Sequence, residues 1–217
     1  MSFAIFPVTY LPPVSHFALI LNYREIQWDI QEHYQKQFLY NRCNIYGSNG
    51  LQKLIIPIRK NTAARAEARQ DRTALKDIEI CYDSPWQKNH WRSLEAAYRR
   101  SPYFELYEAG LVDLYMGDYR PAKLVDWNIK LFGTVCLLMG IKLNTSFTSA
   151  YLKSYTEITD HRRLASPSAG TGVSLKKYHQ VFEEKYGFLE NLSIIDLLFC
   201  EGPDSKEYLK AQESGAN

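Results

Sequence analysis

Short apolar runs separated by turns occupy the beginning of the chain and predict strands. Residues 3–6 form an apolar run that ends at Pro7, and residues 25–30 alternate so that three apolar side chains share one face: Ile26, Trp28 and Ile30. Residues 16–23, between these two strands, follow a Pro-Pro turn and predict a short helix. This order favours a βαβ unit with a right-handed crossover, and the short connection leaves an antiparallel arrangement open.

Two more predicted strands lie before the middle of the chain. Residues 51–59 form an apolar run in which Pro57 indicates a sheet edge or a bulge, and residues 75–82 alternate between apolar and polar. Residues 31–50 are polar and aromatic and end in a turn signal, so no element is predicted there. Residues 60–71 are charged and rich in alanine, and they predict an excursion or a short helix that orders over a ligand.

The middle of the chain predicts three helices, over residues 85–99, 102–115 and 121–139. The first two follow Ser-Pro pairs at Ser84 and Ser101, because serine at the N-cap and proline at the first helical position favour a helix start. Gln87 would complete a capping box in the first helix. Gly140 would end the third helix at the C′ position.

The last third of the chain is weakly patterned until a final helix. Residues 142–164 are polar and predict no regular element, and residues 166–172 predict a flexible loop rich in serine and glycine. Ser193 and Asp196 have the spacing of a capping box before an apolar helix that stops at Gly202. Asp196 is therefore predicted to be a helix cap.

These elements predict an α/β fold in a single domain. An N-terminal mixed sheet of about four to five strands would pack with a mainly helical middle and carboxyl-terminal part. The domain covers residues 1–203, and residues 204–217 form a polar tail. A chain of 217 residues is long enough for one substantial core.

Composition and charge narrow the function classes. The 26 basic and 24 acidic residues nearly balance, which argues against a nucleic-acid binder, because such proteins usually carry a clear basic excess. The longest apolar run, residues 131–141, is about half of what a membrane span requires, so no span is predicted. The amino terminus has no basic leader and the cysteines lie far apart, so the sequence predicts a cytoplasmic protein with reduced cysteines.

Known catalytic patterns are absent from the sequence. It contains no paired carboxylates, no serine nucleophile motif, no dinucleotide glycine fingerprint and no cluster with metal-ligand spacing. No metal site is therefore predicted, and the residues indicate no particular cofactor. A small-molecule ligand is the predicted partner, and the oligomeric state stays open.

The stretch most suited to ligand binding is residues 84–107, where tryptophan, histidine, tyrosine and arginine are crowded around two helix starts. His90 is the candidate catalytic residue, a general base expected to titrate near neutrality. Trp91 and Tyr98 are candidates for stacking on a sugar or base ring. A place in the packed core is the alternative for all three residues.

Further candidates come from outside this stretch. Arg42 could pair with a carboxylate or phosphate and Asn41 could bind a polar edge, with a loop-bracing salt bridge as the alternative. Lys36 is a candidate for anion binding, with simple solvation as the alternative. Tyr178 and Gln180 alternate as in a strand and are expected to belong to the same cleft.

Three stretches of the chain resemble the WbqC-like family, bacterial proteins whose genes often lie among those for cell-surface polysaccharides such as O-antigen. The first is Tyr10-Leu11-Pro12, and the second runs from Tyr34 through Asn41-Arg42 into PWQKNHWRSLEAAYRRSPYFELY at residues 85–107. The third is residues 178–202. The resemblance implies a cytoplasmic transferase acting on an activated sugar, with transfer of an acyl or aminoacyl group to an amino sugar. The ligand would be a nucleotide sugar or an acyl donor, and Tyr10 would contribute to its site.

The chain departs from the family pattern in three places. Phe6-Pro7 stands where members carry a Gln-Pro pair, and Ser15-His16 stands where they carry Gly-Tyr. The segment before Tyr178 is shortened. An activity that rests on these features could be altered or lost.

The alternative function is a non-catalytic binding or assembly protein that uses an aromatic-rich helical surface. A transferase requires His90, Arg42 and either Tyr178 or Gln180 to converge on one cavity. An assembly protein instead requires a broad exposed aromatic patch.

Overall fold

The amino-terminal part of the chain forms a parallel strand pair joined by a helix. The computed structural model describes residues 3–59 and 73–214. β1 (Phe3–Pro7) pairs in parallel with β2 (Glu25–Asp29), and α1 (Val14–Ile20) connects them. The βαβ unit is therefore confirmed, and the antiparallel alternative is wrong.

Pro13 sets the start of α1, two residues before the predicted start. Its carbonyl accepts hydrogen bonds from the N–H groups of His16 and Phe17, and its φ of −58° is the value that the proline ring imposes. Every residue of α1 is buried, so the crossover helix is part of the core.

An antiparallel hairpin follows the parallel pair. β3 (Arg42–Gly47) and β4 (Gly50–Ile55) pair along their whole length. The sequence predicts β4 but not β3, whose alternation rests on Cys43 and Ile45 among polar neighbours. The predicted strand over residues 75–82 is wrong, because Leu75–Asp77 forms a 3₁₀ turn and isolated bridges follow it. The segment predicted over residues 60–71 lies outside the described residues.

The middle of the chain contains the three predicted helices, which are α2 (Trp86–Tyr98), α3 (Phe104–Met116) and α4 (Leu124–Leu138). Gly140 follows α4 with a φ of +62°, as expected at the C′ position. The prediction that Gly140 ends the third helix is therefore confirmed.

The residues that cap α2 and α3 differ from those that the sequence predicts. Pro85 is the N-cap of α2, with no side-chain cap. The Gln87 amide does not close a capping box but donates to two backbone carbonyls, those of Leu114 and Tyr119. The Ser101 hydroxyl donates to the carbonyl of Tyr98, so it stabilises the end of α2 rather than the start of α3.

Two short strands complete the parallel sheet. They are β5 (Asn144–Phe147) and β6 (Thr159–Asp160), and within the described residues the strand order is β5-β2-β1-β6. Both lie in segment 142–164, for which the sequence predicts no element. The α/β prediction is confirmed, as a parallel sheet and an antiparallel pair combined with helices.

The carboxyl-terminal part contains β7 (Val173–Ser174), α5 (Glu183–Tyr186), α6 (Ile194–Glu201), α7 (Ser205–Lys210) and β8 (Glu213–Ser214). α6 confirms the predicted final helix. α7 packs against α1, and β8 pairs with β7, so the predicted polar tail contains regular structure. The strand expected around Tyr178 and Gln180 is absent from these described residues.

Aromatic side chains form much of the core between the sheet and the helices. The largest side chains with almost no exposure include Trp127, Tyr10, Tyr40, Tyr46, Tyr98 and Phe6. The high tyrosine content therefore serves packing to a large extent. Among the described residues, none of the helices has the length and apolar character needed to cross a bilayer.

Gly202 follows α6 in a conformation that glycine adopts without strain. Its φ is +55°, and a Cβ added there would lie 2.3 Å from the ring of Tyr103. Gly140 has a similar φ of +62°, but no atom lies within 4 Å of an added Cβ. Gly140 is therefore constrained by its backbone conformation alone, whereas Gly202 is constrained both by its backbone conformation and by the ring of Tyr103.

We expect Gly202→Ala to lower the free energy of unfolding by about 2–4 kcal/mol, because a steric clash adds to left-handed backbone strain. Gly140→Ala should cost only the backbone part, about 1 kcal/mol. Urea unfolding followed by circular dichroism measures both losses. Equal losses in the two variants would contradict the packing constraint at Tyr103.

Candidate functional site

Polar side chains gather where the strands of the parallel sheet end. Asp29 is the last residue of β2, Asp160 is the last residue of β6, and Thr148 follows β5. Because the strands are parallel, these residues lie at one edge of the sheet. Open α/β sheets bind their ligands at this carboxyl edge.

Arg162 joins the carboxylates of this edge. Its Nη1 donates to Asp29 Oδ2 at 3.1 Å and to Glu32 Oε2 at 3.3 Å, and its Nη2 donates to Asp160 Oδ2 at 2.6 Å. The guanidinium also donates to the carbonyls of Leu152 and Lys153. Three carboxylates thus share one buried cation, and the cluster carries a net negative charge.

Asp29 is the fully buried member of this cluster. Its Oδ1 accepts hydrogen bonds from the Thr148 hydroxyl at 2.9 Å and from the backbone N–H groups of Gln31 and Glu32. With Arg162 on its other oxygen, the carboxylate is fully satisfied. Asp29 therefore orders the edge and has no capacity left for a ligand.

Asp160 is held in its ionised form. Burial acts to raise the pKa of Asp160, but hydrogen bonds from the Arg162 side chain and backbone outweigh it and lower the pKa below its ordinary value. The hydrogen bond to Asp160 in turn raises the pKa of Arg162. Asp160 is accordingly an acceptor of hydrogen bonds and a poor acceptor of protons near pH 7.

A cleft opens beside this cluster. Its volume is about 370 Å³, and it is lined by Glu32, Gln35, Phe38, Tyr40, Asp160, Arg162 and Arg163. Carboxylate and amide groups in the lining suit hydroxyl or ammonium groups of a ligand, and the two aromatic rings suit its apolar faces. Within the described residues, none of the groupings of His, Cys, Asp and Glu is arranged to hold a metal ion.

Tyr40 lines the cleft, and its side chain is almost fully buried. Burial raises the pKa of Tyr40, and the nearby carboxylates of Glu32 and Asp29 add to the effect. Its hydroxyl forms no hydrogen bond with the described residues, whereas its backbone carbonyl accepts one from Asn128. Because its pKa is raised, the Tyr40 hydroxyl stays protonated near pH 7.

The predicted catalytic residue, His90, lies in a buried polar cluster with Tyr10. The Tyr10 hydroxyl lies 2.9 Å from His90 Nδ1 and 2.9 Å from the Tyr115 hydroxyl. Burial lowers the pKa of His90 to about 4, below the near-neutral value expected from the sequence. Trp91 is also buried and packs against the rings of Tyr115 and Phe104.

A second buried cluster collects Tyr98, Tyr178 and Gln180 around Asp196. The two tyrosine hydroxyls donate to Asp196 at 2.7 and 2.6 Å, and the Gln180 amide donates at 3.2 Å. Tyr98 also accepts a hydrogen bond from the backbone N–H of Tyr46. Tyr178 and Gln180 therefore lie together with Tyr98 around one buried carboxylate.

Asp196 is the centre of this cluster rather than a reciprocal cap. Ser193 caps α6 through its hydroxyl, which accepts from the N–H of Ile195, whereas the N–H of Ser193 donates to the carbonyl of Asn44. Burial raises the pKa of Asp196 to about 6, although its three side-chain donors oppose this rise. The capping-box spacing led to the prediction of a cap at Asp196. In the structure, Asp196 is a buried acid that links α2, α6 and the segment before α5.

The remaining candidates lie near the hairpin. The Asn41 amide donates to the carbonyl of Ile56 at 2.8 Å and its oxygen accepts from the Tyr34 hydroxyl, so Asn41 braces the chain. Arg42 begins β3, and its buried Nε has no hydrogen-bond partner within the described residues. Lys36 is exposed and forms no ion pair with the part of the chain that the structure describes.

The candidates thus fall into separate places. Tyr10 joins His90, and Tyr98 joins Tyr178 and Gln180, but none of these five residues lines the cleft at the sheet edge. The sequence analysis did not identify Asp29, Glu32, Asp160 or Arg162. A signal for Asp29 was present, since it is a carboxylate on the polar face of the strand predicted over residues 25–30.

We expect Arg162→Met to lower the free energy of unfolding by about 3–5 kcal/mol, because it leaves Asp29 buried and unpaired. Arg163→Met is the matched control, since it removes the same charge from the adjacent exposed residue and should change stability by less than about 0.5 kcal/mol. Chemical unfolding of both variants measures the difference. Similar small changes in both would mean that Asp29 does not depend on Arg162.

Asp196 should make stability depend on pH. Because its pKa in the folded protein, about 6, lies above the ordinary value of 3.8, the stabilisation that comes from tighter proton binding is complete below about pH 4 and is lost as the pH rises through 6. Asp196→Asn removes this titration, and its stability relative to the wild type should rise by about 3 kcal/mol between pH 4 and pH 8. Urea unfolding across this range measures the slope, with Asp113→Asn on the exposed face of α3 as control. Parallel profiles for wild type and Asp196→Asn would refute the assignment.

Comparison with known proteins supports the resemblance seen in the sequence. The model of the WbqC-like protein family matches residues 8–174. The chain is also similar to a protein of Mycobacterium tuberculosis (strain ATCC 25618 / H37Rv), Uncharacterized protein Rv1507c, with 26% identity over 234 residues that cover 95% of this chain and 96% of the relative. No solved structure matches the chain. The match over most of its length shows that the chain belongs to the WbqC-like protein family.

Proposed function

We propose that the protein is a transferase that binds an activated sugar in the cleft at the carboxyl edge of the parallel sheet. The observation that carries this proposal is the lining of the cleft, which combines carboxylates, an amide and a tyrosine hydroxyl with two aromatic rings. Sugars present hydroxyl groups at their rims and apolar C–H groups on their faces, and this lining complements both. Family membership supports a setting in cell-surface polysaccharide biosynthesis.

The charges of the cleft favour an amino sugar as acceptor. Glu32 and Asp160 line the cleft, and together with Asp29 behind them they share one cation, Arg162. An ammonium group would gain from this excess of negative charge. Arg163 is exposed at the same cleft and would pair with a phosphate of a nucleotide sugar.

Glu32 is the proposed general base of an acyl or aminoacyl transfer. Its contact with Arg162 is longer than that of Asp160, so its carboxylate is the less strongly neutralised of the two. In the reaction, the amine nitrogen would form a bond to the donor carbonyl carbon while the bond from that carbon to the leaving atom breaks. Glu32 would accept one proton from the bound ammonium group, which frees the nitrogen lone pair for this attack, and the second proton lost by the nitrogen would leave with the departing group.

His90, Arg42 and the other candidates identified from the sequence remain proposals beside this site. The neutral imidazole of His90 could accept a proton, and the unpaired Nε of Arg42 could receive an anion, but both would have to be reached from outside the cleft described here. The variant His90→Ala distinguishes a catalytic role of His90 from a packing role. Loss of activity with unchanged stability would support catalysis, and loss of stability would support the packing role.

The burial of the aromatic residues of α2 and α3 favours a transferase over the assembly alternative. Among the described residues of these helices, the strongly exposed apolar side chains are the aliphatic Leu106 and Met116, whereas their tryptophan and phenylalanine rings are buried. This arrangement offers a partner little aromatic surface.

Thermal-shift screening tests the proposed ligand class directly. Nucleotide-linked amino sugars, coenzyme A derivatives and aminoacyl donors are the probes, because a ligand that binds the folded state raises the unfolding temperature by mass action. We expect a nucleotide-linked amino sugar to stabilise the protein. A shift with donors alone, or with none of the probes, would contradict an amino-sugar site.

Once a substrate pair is found, Glu32→Gln should lower kcat by about 10²–10⁴-fold, because it removes the proton acceptor while keeping the shape of the side chain. KM should change by less than about threefold, since the amide still accepts hydrogen bonds. Gln35→Ala is the matched control, because it removes a neutral cleft residue and should act mainly on KM. An unchanged kcat in Glu32→Gln would exclude Glu32 as the base.

A further inference from the structure

A groove along α4 lies apart from the cleft. Its volume is about 580 Å³, and most of its floor is apolar, formed by Trp28, Ile129, Phe132, Cys136, Leu137 and Ile141. The rings of Trp28 and Phe132 meet edge to face with their centroids 4.8 Å apart. The volume and lining are in the range of small-molecule sites.

Gly133 keeps the middle of this groove open. It lies in the interior of α4, where glycine is less favourable than any residue except proline. No atom lies within 4 Å of an added Cβ, and the backbone does not adopt a positive φ, so neither packing nor conformation requires glycine. The residues one turn before and after it are Ile129 and Leu137, and Leu137 is 78% exposed. Gly133 therefore leaves a gap in an apolar stripe that faces solvent.

Two cations border the groove at its polar end. Arg24 precedes β2 and Lys142 precedes β5, so both lie at the amino edge of the sheet. Both are exposed, and neither forms an ion pair within the described residues. No acidic residue of the described chain lines the groove. An apolar floor with cations at one end is complementary to a molecule that is apolar along its length and anionic at its head.

We propose that this groove binds a single anionic amphiphile, with its hydrocarbon chain over Gly133 and its phosphate or carboxylate head between Arg24 and Lys142. Burial of the chain against the apolar floor removes hydrocarbon surface from water. The two cations supply charge-assisted hydrogen bonds to the head. This binding is independent of the transferase function proposed for the cleft.

The thiol of Cys136 fits an apolar floor. Burial raises the pKa of Cys136 to about 12, so the thiol is neutral near pH 7 and acts as a small hydrophobic group. The thiol therefore adds no negative charge that would offset Arg24 and Lys142.

Calorimetric titration of the full chain with short-chain probes, kept below their micelle-forming concentrations, tests this proposal. Decyl phosphate should bind with one-to-one stoichiometry and at least about tenfold more tightly than decyltrimethylammonium, because only the anionic head pairs with the cations. Inorganic phosphate should show no binding in the same range, because it lacks the chain. Equal affinities for the two charged amphiphiles would overturn the proposal.

Variants locate the site. Gly133→Leu should abolish binding of decyl phosphate by filling the groove, while its unfolding temperature is unchanged or higher because leucine favours the helix. Arg24→Ala combined with Lys142→Ala should weaken binding by about tenfold or more, and weaken its dependence on salt. Lys130→Ala is the matched control, an exposed lysine of α4 outside the groove.

Two outcomes would contradict a single-molecule site in this groove. One is undiminished binding in Gly133→Leu, which would place the amphiphile elsewhere. The other is sedimentation with phosphatidylglycerol vesicles without saturable binding of decyl phosphate, which would indicate adsorption to a charged membrane surface instead.

Discussion

The parallel sheet depends on one buried guanidinium. β5 and β6 contribute only four and two residues, so their backbone pairing with the central strands is short. Arg162 joins the end of β2 at Asp29 to the end of β6 at Asp160, and it also binds the carbonyls of Leu152 and Lys153 in the connection from β5. A buried ion pair adds little net stability, but breaking it is costly because a charge remains unpaired. We infer that Arg162 fixes the arrangement of this edge more than it adds to its stability.

The same edge lines the cleft, and its neighbouring acids differ in how strongly the protein binds them. Asp29 is fully occupied by Arg162, Thr148 and two backbone N–H groups. Asp160 is bound tightly enough to Arg162 that its pKa is lowered, whereas Glu32 has the longer contact. The environment therefore distinguishes one structural carboxylate, one carboxylate whose pKa is lowered by Arg162, and one candidate base. These differences in environment are the physical basis for assigning different roles to the three carboxylates of Asp29, Glu32 and Asp160.

The sequence predicts the elements of this fold better than its site, and the reasons are physical. The long helices α2, α3 and α4 each bury one face, so apolar residues recur along their sequence with a helical period. β6 pairs over only two residues, which is too short for a periodic sequence pattern. The stretch with His90 and Tyr98 resembles a ligand-binding wall because buried polar networks and ligand sites need the same residue types. Tyr98 shows this ambiguity, since its hydroxyl is saturated by Asp196 and by the N–H of Tyr46. Arg162 and Asp160 could not be found from sequence, because only the fold brings them to Asp29.

The cleft and the groove lie at opposite ends of one strand, which makes them separate sites. Arg24 precedes β2 and borders the groove, whereas Asp29 ends β2 and supports the cleft. A strand of this length spans about 16 Å, so a head group held at Arg24 cannot reach Glu32 or Asp160. Their charges also differ. Among the described residues, the charged side chains that line the groove are both cations, whereas two carboxylates and two guanidinium groups line the cleft. The two binding events can therefore be measured independently.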